Sequence, residues 1–519
     1  MRIYKMDKMR TLYNYQQEGV DWGKRRRYLP LFWDMRLGKS IVTIRIIDEW
    51  RQQSPIIAKN RPDIAENWPI PYRILILCPK TVIVSWRNEL ELEKKTFFIL
   101  SATNKDLHSN LLSLASPDNP IYCVANYEVT KYNNDSSKSK VSSNGSTSYI
   151  PINKQKWDVV VLDESTKVRN PKTATTEAVI DSRYSSLPAS KYKICLTGTP
   201  APETTIDYFN QFKFLFGTFI GYQNYYKFRK ECFDRDDWDA NRFIPKLGFQ
   251  HKLAAHLQKR ANILSRKVAG LNIPSTFEIR TVTLAKSARA IYDDFAANWH
   301  TNFLRHLIED EVNFDSSSPL QLATQYATVA QNYLHQLACG YPKSTPGVGF
   351  HHKRDEVLSL LQDELRGEKV VIWCRYQRDI DELYSAIKEL RDRNPFKITG
   401  TITNEQLYHK LRDFNDEYPN SCNNLVYLNV AICQIKKACM GIALYGADTQ
   451  IFFSRSWSGL ENQQATDRLI HPSKANSNHS ILTIDIITED TMDQDVYDAI
   501  VRKKADGDIH KLFFKRHVK

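Results

Sequence analysis

Short, almost wholly apolar runs recur along the first half of the chain, each stopped by a polar residue, glycine or proline. They are LFW at 31–33, RILILC at 73–78, IYCVANY at 121–127, VVVL at 159–162 and the apolar part of KYKICLTGTP at 191–200. A half-exposed strand would alternate, so continuous runs predict strands covered on both faces. Helical patterns lie between them: 11–27, with apolar or aromatic residues at 12, 15 and 22 and four basic residues at its end, then 41–50 and 81–90. Residues 51–72 read as a Pro-rich polar connection, and 131–150, rich in Ser, Asn and Lys, as a long flexible surface loop. Strands that alternate with helices and end in polar residues predict an open parallel α/β sheet, with ligands at the C-terminal edge of its strands.

From 204 to about 345 the strand signal fades. The segments DYFNQFKFLFGTFIGYQNYYKFRK and LAAHLQKRANILSRKVAG are aromatic and basic and predict helices, with one strand at 275–284. The spacing of these aromatics is that of helix packing, which is the role expected for most of them. Strand patterns return at KVVIWCR (369–375), FKITG (396–400), LVYLNV (425–430), TQIFF (449–453) and ILTIDII (481–487). The expected organisation is a first α/β domain over 1–275 with a helical protrusion near 204–270, a helical insertion or linker over 276–345, and a second α/β domain over 346–519.

Composition narrows the class. A chain of 519 residues that is 42% hydrophobic exceeds one comfortable core and carries no global signature of disorder. Its net charge of +13 points to a polyanionic partner, although a well-solvated surface would carry that charge equally well. The nine cysteines include no CxxC pair, and Cys78, Cys195 and Cys374 lie inside apolar runs. That pattern suits buried thiols in a reducing compartment and argues against zinc or a disulfide scaffold. The N-terminus lacks the apolar stretch of a signal peptide, and no apolar run is long enough to span a membrane. A cytoplasmic protein is expected, bacterial or in an infected host's cytosol, neither secreted nor membrane-bound.

Candidate chemistry begins at LFWDMRLGKS (31–40), where a strand pattern passes through a tight turn into a helix. This order holds nucleotide triphosphates: Gly38 lets the backbone approach phosphate, Lys39 sits between β- and γ-phosphates, and the Ser40 hydroxyl reaches Mg²⁺. The first glycine of GxxxxGK[ST] is replaced by Trp33, so an ordinary strand–turn–helix with an exposed lysine stays open here. Asp163 and Glu164 follow four apolar residues, the context in which one carboxylate binds Mg²⁺ and its neighbour positions or deprotonates the attacking water. In QATDR (464–468), the Arg468 guanidinium could reach a γ-phosphate across a cleft, but spacing alone favours a surface salt bridge.

Taken in order over nearly the whole chain, these segments resemble the Swi2/Snf2-like DNA-dependent ATPases of helicase superfamily 2, in the compact form of phage, viral or bacterial motors. LYNYQQEGV resembles the family's adenine-recognising start, DMRLGKS its phosphate loop, and DEST its DE-small-His motif. LTGTP matches residue for residue, and AICQIKKACMGIAL and QATDRLIHP resemble the last two major motifs. The resemblance implies two RecA-like parallel-sheet domains in tandem with helical insertions, ATP and Mg²⁺ as cofactors, and duplex or branched DNA as partner, with a monomer favoured. It places Gln16 on the adenine, Lys39 and Ser40 on phosphate and Mg²⁺, Asp163 on Mg²⁺ and Glu164 on the water. It gives Thr197 and Thr199 a coupling role, brings Gly441 to strand and nucleotide, and sets Gln464 and Arg468 against the ATP. Trp86, Asn126 and Trp457 match positions nearer the DNA, with packing an equal alternative.

Three departures stand out. Arg36 replaces a phosphate-loop glycine, Thr166 the motif histidine, and His471 a second arginine that would act as the finger. Imidazole is a weaker γ-phosphate partner than guanidinium, so slow hydrolysis, substitution by Lys474 or Arg455, or a shifted alignment compete. A working ATP-dependent translocase or helicase is expected because Lys39, Asp163, Glu164 and Arg468 are all present. An RNA helicase of the same superfamily and a non-catalytic DNA-binding protein are the alternatives.

Overall fold

The computed structural model describes residues 10–66, 68–101, 113–130, 152–202, 204–235, 243–271, 273–309, 331–340, 350–415, 421–422, 425–426, 428–438, 442–474 and 480–500. The chain divides into two compact units, Met1–Asn272 and Ile273–Lys519. Each is a RecA-like parallel sheet flanked by helices.

The sheet of the first unit runs β3-β4-β2-β5-β6-β1-β9. Its strands are β1 (Tyr28–Trp33), β2 (Arg73–Cys78), β3 (Phe97–Leu100), β4 (Ile121–Asn126), β5 (Val159–Asp163), β6 (Tyr192–Leu196) and β9 (Asn262–Leu264). Every pairing is parallel. The continuous apolar runs do become strands buried on both faces: β5 and β6 are buried throughout. The expected loop at 131–150 lies outside the described residues.

Helix α1 spans Asn14–Gly23, and helix α2 spans Lys39–Asn60 and continues through Pro55 into the stretch expected as a connection. Packing overrides the breaker there. Trp50 stacks on Tyr192 with ring centroids 4.5 Å apart, and Ser54 Oγ donates to Trp50 O at 2.7 Å.

The aromatic segment after β6 packs, as its spacing predicts. Phe209, Phe212 and Phe214 on helix Tyr208–Phe216 are fully buried, as are Phe219 and Phe228. The rings of Phe209, Phe212, Phe219 and Phe228 meet one another and Phe233, Phe249 and His256 at 5.0–6.3 Å. A short antiparallel pair, β7 (Phe233–Arg235) and β8 (Phe243–Pro245), leans on this cluster.

The second unit begins with an edge strand. β10 (Ser275–Val282) pairs along its whole length with β17 (Ile481–Thr488), so part of the 276–345 stretch belongs to the sheet. Helix Lys286–Glu309 and the helix at 331–339 pack through Ala288 and Tyr292 against Leu334, Leu337 and Ala338. The sheet runs β10-β17-β16-β11-β15-β12, all parallel. It is built with β11 (Val370–Cys374), β12 (Arg393–Ile398), β15 (Leu428–Gln434) and β16 (Thr449–Phe452). A two-stranded hairpin, β13 (Ser421–Cys422) and β14 (Leu425–Val426), stands apart.

After β11, a buried carboxyl sits in the first turn of helix Gln377–Lys388. Asp379 Oδ2 accepts from Ser454 Oγ at 2.9 Å, and that hydroxyl accepts from Arg375 N at 2.8 Å. Burial pushes Asp379 up to about 7, against the Ser454 hydrogen bond and the Lys353 charge. Because the folded value lies above the unfolded one, the protonated group's contribution is full below the unfolded pKa and is lost as pH rises through 7. Asp379→Asn should therefore gain stability relative to wild type by up to about 1.4 kcal/mol per pH unit between pH 4 and 7. Urea unfolding of both proteins at pH 5 and pH 8 measures it; a pH-independent difference would remove Asp379 as the titrating group.

Candidate functional site

The C-terminal ends of β1, β5 and β6 lie side by side in the first sheet, with Leu31 paired to Leu196 and Asp163 to Leu196. The polar residues that stop these strands therefore gather at one edge. After β1 the chain turns through Asp34–Gly38 into α2. Arg36 has φ +70° and Gly38 φ +76°, both in the left-handed region. Glycine is free there, and Arg36 occupies the conformation against its intrinsic preference. A Cβ on Gly38 would meet Gln16 Nε2 at 2.3 Å, so any larger residue there would displace the Gln16 amide.

Lys39 reaches back into the turn, donating to Trp33 O at 2.9 Å and Asp34 O at 3.1 Å. Ser40 follows it in the first turn of α2. Trp33, in the place of the first glycine, packs against Gly19 and donates from Nε1 to Asn262 Oδ1 at 2.8 Å. Beyond it, Asp34 is clipped to the segment after β9, its N–H donating to Leu264 O at 2.8 Å and its Oδ2 accepting from Arg266 N at 2.9 Å. Nothing in the sequence around 262–266 marks this contact, because a three-residue strand is defined only by its partner.

Asp163 ends β5 and is buried. Its Oδ2 accepts from Trp86 Nε1 at 2.7 Å and its Oδ1 from the Glu164 N–H at 2.9 Å. Burial, then the neighbouring Glu164 charge, push Asp163 up to about 6, against the Trp86 bond and the Lys39 charge. Glu164 is also buried and has φ +50°, so this turn and the Arg36 turn both hold a non-glycine residue in left-handed backbone. Such strain collects where side chains must be aimed. Thr197 Oγ1 donates to Glu164 Oε2 at 3.4 Å and accepts from Thr199 N at 3.1 Å.

The remaining expected residues of this unit do structural work. Gln16 is clipped on both sides, Oε1 accepting from Tyr13 N at 3.1 Å and Nε2 donating to Leu37 O at 3.2 Å, which ties α1 to the turn before α2. Trp86, read as lying near DNA or as packing, is fully buried and orients Asp163. Asn126 Oδ1 accepts from Val129 N at 3.1 Å and holds the turn after β4.

In the second unit, Arg468 is 4% exposed, which corrects the surface salt bridge favoured by spacing alone. It follows helix Gly459–Thr466, and its guanidinium donates to Gln464 O at 3.0 Å and Ile442 O at 3.4 Å. Gln464 is buried beside it. His471 stacks on Tyr445 with centroids 4.2 Å apart, and its Nδ1 lies 2.7 Å from Ser473 Oγ. The two suggested substitutes for a finger are engaged within the unit. Arg455 makes a two-pronged pair with Asp485 at 2.5 and 2.8 Å, and Lys474 pairs with Asp448 at 2.7 Å. Trp457 lies edge-on to His335 at 6.0 Å under the Arg375 guanidinium at 5.8 Å. Gly441 lies outside the described residues.

The donor set at the first sheet edge fits a nucleotide with Mg²⁺. The Glu164 charge raises the proton affinity of the buried Asp163 carboxylate beside it, and a divalent cation would supply the missing countercharge. Asp163 and Ser40 are residues that could hold it. Among the described residues one other group has metal-ligating chemistry, His335, Cys339 and Asp493, but Lys353 already provides a cation there, 2.5 Å from Asp493 Oδ2. No described helix is long and apolar enough to cross a membrane.

The model of the SNF2-related domain matches residues 15–331, more than half of the chain. The TATA-binding protein-associated factor MOT1 of Saccharomyces cerevisiae is 23% identical over 510 residues, covering 88% of this chain and 25% of its own length. An uncharacterized ATP-dependent helicase of Mycoplasma pneumoniae is 21% identical over 473 residues, 89% of this chain and 38% of that protein. The chain thus spans between a quarter and two fifths of these relatives. The Sulfolobus solfataricus SWI2/SNF2 ATPase core in complex with dsDNA aligns over 94% of this chain and 90% of its own, at 18% identity and a TM-score of 0.39. Fungal and bacterial relatives together make the kinship wider than the compact phage, viral or bacterial type expected from the motifs. By the domain match, the chain belongs to the SNF2-related domain family.

Proposed function

We propose that the chain binds ATP with Mg²⁺ at the C-terminal edge of its first sheet and uses hydrolysis to move along duplex or branched DNA. The observation that supports this best is the gathering of Lys39, Asp163, Glu164 and Thr197 on neighbouring strand ends, two of them preceded or formed by left-handed residues. In this reading the turn before α2 and Lys39 cradle the phosphates, and Ser40 and Asp163 hold Mg²⁺. Glu164 orients the attacking water and takes its proton, with the Thr197 hydroxyl fixing the carboxylate. Mg²⁺-bound ATP supplies the phosphoanhydride whose terminal phosphoryl group goes to water. Gln464, Arg468 and His471 of the second unit serve the nucleotide, and Trp457 and Gly441 serve the DNA side. DNA is gripped through its phosphates, which suits the charge of +13 and implies little sequence preference. The motor acts as a cytoplasmic monomer.

The test is the ATPase rate against duplex, forked, four-way and single-stranded DNA and against RNA. Stimulation by duplex or branched DNA above RNA is expected, with the DNA concentration for half-maximal stimulation rising on the order of 10³-fold between 50 and 200 mM salt, as counterion release requires. Stimulation by RNA alone would make the chain an RNA helicase, and no stimulated phosphate release by any polymer would make it a non-catalytic binder.

A further inference from the structure

One buried amide joins the two turns that carry this chemistry. Gln211 lies on helix Tyr208–Phe216 and is fully buried. Its Oε1 accepts from Ser165 Oγ at 2.6 Å, and its Nε2 donates to Pro200 O at 2.7 Å and to Asp207 O at 2.9 Å. Ser165 directly follows Glu164, and Pro200 closes the LTGTP segment that holds Thr197 and Thr199. The two turns leave neighbouring strand ends and are linked twice. Thr197 reaches Glu164 directly, at a distance long for an O–H···O bond, while the Gln211 amide bridges them through short bonds on both sides.

Helix packing alone does not call for glutamine here. The same helix buries Phe209, Phe212, Phe214 and Leu215, and an apolar residue would fill the position without desolvating an amide. The amide is kept in the core by having both donors and its acceptor used, two of the bonds on the site's supporting turns and the third on the Asp207 carbonyl at the start of its own helix. Removing it would leave the Pro200 and Asp207 carbonyls and the Ser165 hydroxyl to find other partners.

We propose that Gln211 is a positioning residue: it locks the LTGTP segment to the Asp163–Glu164 turn, so that DNA engaged near that segment changes how Glu164 is set for hydrolysis. The inference rests on the reading of the chain as a DNA-stimulated ATPase. Without the lock, Glu164 still works at its unstimulated level, but the response to DNA is lost in part.

The experiment compares wild type, Ser165→Ala and Gln211→Met for ATP hydrolysis with and without duplex DNA, and for Tm. Ser165→Ala cuts the link on the carboxylate side while Gln211 keeps Pro200 and Asp207, so the variant is expected to fold normally. The ratio of stimulated to unstimulated rate should fall roughly fivefold in Ser165→Ala, the effect of one hydrogen bond, and further in Gln211→Met, with unstimulated rate and Tm of Ser165→Ala near wild type. A wild-type ratio retained by both variants, or a fall that only tracks Tm, overturns the positioning role. A wild type whose hydrolysis does not respond to DNA at all overturns the functional reading on which it rests.

Discussion

Replacing Glu164 by Gln is expected to lower kcat of ATP hydrolysis by about 10²- to 10⁴-fold, the usual worth of a general base, while the protein still folds and binds nucleotide. The substitution is nearly isosteric, and the Gln carbonyl can still accept from the Thr197 hydroxyl. What it removes is the proton acceptor and one of two adjacent buried negative charges. The second loss should not destabilise the fold, because Glu164 is among the causes that push its neighbour Asp163 up to about 6. Relieving that repulsion leaves Asp163 more readily ionised and better suited to Mg²⁺. Single-turnover phosphate release separates the step from binding, which a fluorescent nucleotide reports independently. A kcat within about tenfold of wild type at saturating ATP and DNA would remove Glu164 from the proton transfer.

The same site shows what a sequence can and cannot announce. Lys39, Asp163 and Glu164 stand out because each ends or follows a continuous apolar run, and a buried parallel strand leaves that pattern without help from its neighbours. β9 leaves none, since a strand of three residues that begins with Asn262 exists by virtue of the strand beside it. The length of α2 was hidden by Pro55, a residue that ends helices locally but is carried here by the packing around Trp50 and Ser54.

Side-chain roles were less legible than strand positions. Trp86 reads equally as packing or as lying near DNA; it is buried, and its indole N–H also aims Asp163. Gln211 reads as one polar residue on an aromatic helix; the three bonds that give it meaning involve partners 4, 11 and 46 residues away. Arg36 looks like a damaging change at a glycine position, while the backbone shows the left-handed turn preserved with the side chain of an arginine on it. Arg468 illustrates the reverse error. Charge and helical spacing suggest a surface pair, but the guanidinium is held inside by the carbonyls of Gln464 and Ile442.

In the second unit, Lys353→Met and Asp493→Asn should each lower stability by about 3–5 kcal/mol, the cost of leaving half of a buried ion pair uncompensated. Lys353 Nζ lies 2.5 Å from Asp493 Oδ2 and donates to Phe453 O at 2.7 Å. Asp493 Oδ1 faces His335 Nε2 at 3.2 Å, Asp493 Oδ2 accepts from Thr488 N at 2.9 Å, and His335 Nδ1 lies 2.8 Å from the Tyr376 hydroxyl. The pair thus joins the helix at 331–339, helix His352–Gln362, the ends of β16 and β17 and the helix at 492–500. Burial alone would raise Asp493 and lower Lys353. Their attraction, helped by His335 on the carboxylate, more than offsets it, holding Asp493 well below the usual carboxylate range and Lys353 above its ordinary value. Asp493 therefore contributes above its unfolded pKa and loses that contribution only as pH falls through its depressed folded value, while Lys353 contributes below its own unfolded pKa. Between about pH 5 and 9 neither changes state, but the Lys353 charge lowers Asp379, so the cost of Lys353→Met should grow as pH rises through 7, where Asp379 ionises. The double variant Lys353→Met/Asp493→Asn should recover most of the loss, because no unpaired charge is left in the core. Denaturant unfolding of the four proteins at pH 5, 7 and 9 measures all three features. Single variants within about 0.5 kcal/mol of wild type, or a double variant equal to the sum of the singles, would mean the pair does not hold this unit together.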